Sequence, residues 1–79
     1  MENFVEIDRQ LTRQMKDRRR ELGLLQTAVA DSIGVSATYY NRIENGLQPR
    51  MDLDRVHKWA EVLQIKAVYT PAQLTLEDL

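Results

Sequence analysis

At 79 residues, 43% of them hydrophobic and 29% charged, the chain has room for one small core and not for two domains. It carries no Cys and a single His, which excludes a disulfide framework and leaves zinc without a plausible ligand set. A formal net charge of −1 is not the coat of positive charge of a bulk nucleic-acid binder; with no apolar run near a membrane span and no signal-peptide pattern, the expected location is the cytoplasm.

Residues 1–7 are expected to form a frayed or weakly docked end, with Phe4, Val5 and Ile7 free to pack on the body or on a second subunit. From about Asp8 to Leu22 the spacing of Leu11, Met15 and Leu22 predicts a first helix, with Gly23 closing it. Between Arg9 and Arg20 the six basic residues Arg9, Arg13, Lys16, Arg18, Arg19 and Arg20 stand against one acid, Asp17, whereas the acidic excess lies behind residue 51. A local positive surface suffices for a small DNA reader, so the global sign does not exclude one. Arg13, Lys16, Arg18 and Arg20 read as a solvated face with one or two phosphate contacts among them.

Val29, Ala30 and Ile33 then mark one buried helical face over about Gln26–Ile33. Gly34 supplies a turn, Ser36 an N-cap, and Tyr40 and Ile43 resume the helical spacing over about Ala37–Glu44. Two short helices joined by one sharp turn are the pattern of a helix-turn-helix, whose second helix is shaped for the major groove of DNA. Asn45 to Pro49 reads as a loop. A fourth helix follows over about Asp52–Leu63, with Leu53, Val56, Ala60 and Leu63 at helical intervals, Trp59 beside them and His57 at the rim.

Ile65, Val68 and Tyr69 give residues 64–69 the character of one strand, and Pro71 stops it. No second strand is expected in the chain, and a lone strand leaves its backbone groups unsatisfied. The same segment of another copy across a two-fold axis would cure that, so Trp59, Ile65, Ala67, Val68 and Tyr69 are assigned to a dimer interface. Residues 70–79 read as a short tail.

On a helical wheel with Tyr40 and Ile43 inward, Thr38 and Arg42 point away from the core, Asn41 and Asn45 flank them, and Ala37 projects from the first turn. Arg42 can donate two parallel hydrogen bonds to guanine, Asn41 can satisfy adenine, and Ala37 and Thr38 offer methyl groups to thymine. A solvated helix face carries similar residues, so the face alone does not decide the matter.

Together, Arg19, Gly23, Leu24, Gln26, Val29, Ala30, Gly34, Val35, Ser36, Tyr40, Ile43, Glu44, Asn45 and Gly46 resemble the Cro/CI repressor type of helix-turn-helix, the XRE-like family, over roughly residues 11–63. The resemblance implies an all-α, lambda-repressor-like domain of four to five helices with a short C-terminal strand pairing across a dimer. It implies base reading by Ala37, Thr38, Asn41 and Arg42, with Gln26 bridging a phosphate and the recognition helix. Ser36, Asn45 and Arg50 are candidate backbone anchors; Tyr39 either reaches a phosphate or covers the core edge. Arg19 and Glu44 resemble the family's ion pair between the first and third helices. Leu25 departs from the pattern, because the family usually has Ser, Thr or Asn as the cap there.

The ending LQIKAVYT is similar to HipB-type antitoxins, whose dimers pair that strand across the two-fold axis. The chain is therefore expected to be a homodimer on a palindromic operator in double-stranded DNA, a repressor of bacterial or phage origin, with no cofactor, metal, membrane or enzymatic activity. Either it acts alone or it also restrains a HipA-like kinase toxin. A helix-turn-helix used only for protein contact is the remaining alternative.

Overall fold

The first helix begins where the Asp8 carboxylate accepts the Leu11 N–H at 2.7 Å, meeting one of the donors that every helix start leaves free. In the computed structural model, which describes residues 4–69 and 74–78 and the side chains of residues 4–65, helix α1 spans Arg9–Glu21. Its last turn holds Arg18, Arg19 and Arg20, the charge sign that suits a helix C-terminus. Helix α2 (Gln26–Ile33) starts at Leu25 with no side-chain cap, and Leu25 itself is 70% exposed. At its other end Gly34 adopts φ +76°, a left-handed conformation that would strain any residue with a Cβ. There the Val35 N–H reaches back to the Ala30 carbonyl at 3.0 Å. Helix α3 (Ala37–Glu44) is capped by the Ser36 hydroxyl, which accepts from the Tyr39 N–H at 3.0 Å.

Helix α4 (Leu53–Val62) is capped by Asp52, whose carboxylate accepts the Arg55 N–H at 2.7 Å. Its far end is closed by a side chain from another helix: Arg18 Nε donates to the Leu63 carbonyl at 3.0 Å. That contact corrects the reading of Arg18 as part of a solvated phosphate-binding face.

Both chain ends differ from expectation. The N-terminal segment is not frayed: strand β1 (Phe4–Glu6) pairs antiparallel with β2 (Arg50–Asp52), Val5 opposite Met51. Both of those side chains are buried, and the Ile7 N–H adds a bond to the Pro49 carbonyl at 2.8 Å. The C-terminal strand is not alone either. Strand β3 (Ile65–Tyr69) pairs antiparallel with β4 (Leu74–Asp78), Ala67 opposite Leu76. The expectation that β3 has no strand partner within the chain is thus corrected, as is the reading of residues 74–78 as tail. The missed signal is the period-two alternation of Leu74 and Leu76 with Thr75 and Glu77.

One core joins the helices. Met15 from α1, Val29, Ala30 and Ile33 from α2, Tyr40 and Ile43 from α3, and Val56, Trp59 and Ala60 from α4 are all buried. Ala30 is buried on the inner face of α2 with almost no exposed surface. Trp59 and Ile65, assigned to a dimer interface, lie instead in this core, Trp59 with no exposed surface. The side chains of Ala67, Val68 and Tyr69 lie outside the described ones.

Candidate nucleic-acid interface

Helix α3 has two faces of opposite character. Tyr40, Ile43 and Glu44 are buried, whereas Ala37, Thr38, Asn41, Arg42 and Asn45 are exposed. Thr38 and Arg42, one turn apart, carry no side-chain hydrogen bond or ion pair among the described residues. The methyl of Ala37 stands at the helix start, beside the Ser36 cap.

The outer face is tied to the core through polar contacts. Arg19 meets Glu44 in a bidentate pair, Nε to Oε2 at 2.6 Å and Nη2 to Oε1 at 3.1 Å. The third guanidinium nitrogen donates to the Leu24 carbonyl at 2.7 Å, which fixes the turn from α1 to α2 as well. Gln26 then links this junction to the surface. Its Nε2 donates to Glu44 at 2.9 Å, and its Oε1 accepts from Asn41 Nδ2 at 3.3 Å. Asn41 in turn accepts from Asn45 Nδ2 at 3.0 Å.

Beneath Glu44 lies a second arm. Trp59 Nε1 donates to the Tyr40 hydroxyl at 3.1 Å, and the two rings meet edge to face, 6.0 Å between centroids. The hydroxyl also faces Glu44 and helps to keep its carboxyl charged. No buried side-chain polar atom among the described residues lacks a partner.

These bonds set the charge states. Burial alone raises the Glu44 carboxyl, but hydrogen bonds from Arg19, Tyr40 and Gln26 and the Arg19 charge outweigh it and hold the group below the ordinary carboxylate range. Burial, reinforced by the neighbouring carboxylate, pushes the Tyr40 phenol far above its usual value, so it remains a neutral donor. Arg19 is raised by its bond to Glu44 and stays charged.

The other sequence-derived candidates separate. Gln26, Ser36 and Asn45 gather at the two ends of α3 and the start of α2. Tyr39 is half-buried and packs its ring on the core edge. Arg50 belongs to strand β2 and not to a loop, with its guanidinium 5.4 Å above the Phe4 ring. His57 is exposed on α4. Sequence reasoning took Tyr40 as plain core and missed the bridge its hydroxyl makes. The available signal was a Tyr where Phe would fill the same space, since a buried phenol needs a partner.

Among the described residues no group of His, Asp or Glu side chains could hold a metal ion, and no helix is long and apolar enough to cross a membrane. A capped helix packed across one tight turn against a neighbour of equal length, with a polar outer face, defines the class of DNA-binding helix-turn-helix proteins. A family model described as helix-turn-helix matches residues 15–69, most of the chain. The chain belongs to the XRE, or Cro/CI-type, helix-turn-helix family, and is a DNA-binding regulator of that family. No curated protein and no solved structure matches it significantly.

Proposed function

We propose that the protein is a dimeric repressor that reads a palindromic operator through α3, with Thr38, Asn41 and Arg42 as its base-reading residues and Ala37 at the groove floor. The observation that carries the reading is the exposure of these side chains on one face of a helix whose opposite face is anchored by the Arg19–Glu44 junction. Arg42 donates to a guanine edge and Asn41 to an adenine edge. Gln26, Ser36 and Asn45 set the register on phosphates, which carry no sequence information themselves. Arg50 and Tyr39 act at the margin of this surface.

Asn41 reaches adenine by exchanging its bonds to Gln26 and Asn45 for bonds to the base. Two copies related by a two-fold axis would insert their α3 helices about 34 Å apart, one turn of DNA. The β3–β4 pair supports a dimer in one respect, because a two-stranded sheet keeps open edges onto which a second copy can add.

Selection of bound sites from random duplex DNA tests the reading. A palindromic consensus with a guanine whose identity ceases to matter in Arg42→Ala supports it. Recovery of no consensus, or a consensus indifferent to Arg42→Ala, refutes it. Restraint of a HipA-like kinase toxin is a second reading, favoured by the strand that directly follows α4. An adjacent reading frame for a kinase-like protein that co-purifies with this chain decides for it; recovery of the chain alone decides against it.

A further inference from the structure

Beside the recognition face, an open groove of about 410 Å³ runs between α1 and the end of α3. Arg9, Arg13, Lys16 and Arg20 line it, together with Glu44, Asn45 and Gly46. Spacings of four, three and four residues put the four cations on one face of α1. Among the described residues none of them makes a side-chain ion pair or hydrogen bond, in contrast to Arg18 and Arg19 on the same helix. The acids in the groove do not cancel them. Glu44 is already held by Arg19, which leaves only Asp17 against four positive charges. The stem of Arg9 runs beside Gly46.

We infer that this groove is a second contact for the DNA phosphate backbone, flanking the bases read by α3; the inference rests on the operator-reading function proposed above. Three observations converge on a phosphodiester strand. The cations are strung along α1 over roughly 16 Å at 1.5 Å per residue, the reach of several successive phosphates and not of one small anion. The groove is continuous with the recognition face, since Asn45 lines it and also donates to Asn41. Unpartnered cations are what counterion release requires, because each one placed on a phosphate frees a condensed ion. A chain of net charge −1 thereby concentrates its positive field where the duplex passes.

The test measures affinity for the selected duplex across salt concentrations for the intact chain, for Arg13→Ala/Arg20→Ala, and for Lys58→Ala on the exposed side of α4. The double variant should flatten the slope of log K against log salt by about 1.8, near 0.9 for each phosphate lost, and weaken specific and random duplexes equally. Its ranking of base-substituted operators should match that of the unaltered chain, because phosphate contacts carry no sequence. Lys58→Ala should leave the slope nearly unchanged. A double variant with an unaltered slope, one matched per charge by Lys58→Ala, or one that reorders the base preferences overturns the inference while leaving the α3 reading standing. If the unaltered chain binds duplex without a salt slope, both fall. Because the removed side chains have no bonded partner in the fold, thermal unfolding should shift only slightly, by the small favourable effect of Arg20 at the end of α1, which separates loss of contact from loss of structure.

Discussion

The inner and outer faces of α3 use the same kinds of polar side chain to opposite ends. Glu44 is buried and takes hydrogen bonds from Arg19 and Gln26, whereas Arg42, half a turn away, is exposed and bonded to nothing described. The first arrangement holds the helix at one angle against α1 and α2; the second leaves a donor free for a ligand. Helix α1 repeats the contrast with arginines alone. Arg19 is locked in the junction, Arg18 closes α4, and Arg20 stays open in the groove. Sign of charge does not assign a role to these residues. Their partners do.

The largest effect should come from breaking the inner face. Glu44→Ala leaves the Arg19 guanidinium without its carboxylate and should cost about 3–5 kcal/mol of unfolding free energy, read by urea denaturation. Replacing both partners, as in Arg19→Met/Glu44→Leu, should recover part of that loss, because no buried charge is then stranded. Equal damage from the double variant would mean that the pair is worth more than its geometry implies.

The same junction should confer acid sensitivity. With Glu44 held below the ordinary carboxylate value of about 4.3, its contribution is complete above that pH and fades as pH falls through the lower folded value. The stability gap between the protein and Glu44→Gln should therefore be constant near neutrality and narrow below about pH 4. A gap that widens on acidification would contradict the sign of the shift.

The outer face should respond differently. Arg42→Ala should leave the unfolding midpoint in place and cost about 1–3 kcal/mol of discrimination at one base pair, measured by competition between operators. Smaller again is the uncapped start of α2. Leu25→Ser supplies the missing acceptor and should stabilise the fold by about 1 kcal/mol in thermal unfolding. Least of all is Gln64, which bridges α4 and β3 at φ +58°, a left-handed conformation. Gln64→Gly should gain about 0.5 kcal/mol, the relieved strain being partly offset by the entropy of a freer unfolded chain.

The helices around the candidate interface were legible because their signals are local. The apolar spacing of Val29, Ala30 and Ile33, the glycine at 34 and the cap at Ser36 lie within a few residues of what they specify. Expected bounds of Gln26–Ile33 and Ala37–Glu44 coincide with α2 and α3. Strands β1 and β2 were not legible. Each is three residues long, and the pairing joins Val5 to Met51 across more than half of the chain. No local pattern distinguishes three extended residues from a loop, since their stability comes from the partner.

What the sequence determined by itself was the helix-turn-helix, the outward position of Thr38, Asn41 and Arg42, and a basic stretch in α1, all consequences of helical periodicity. Tertiary structure alone decided which of those arginines are spent on the fold, that Trp59 belongs to the core, and that Gln26 holds Asn41 in place. The physical reason is that a helix period fixes direction, whereas burial and hydrogen-bond partnership depend on what another segment brings within three ångströms.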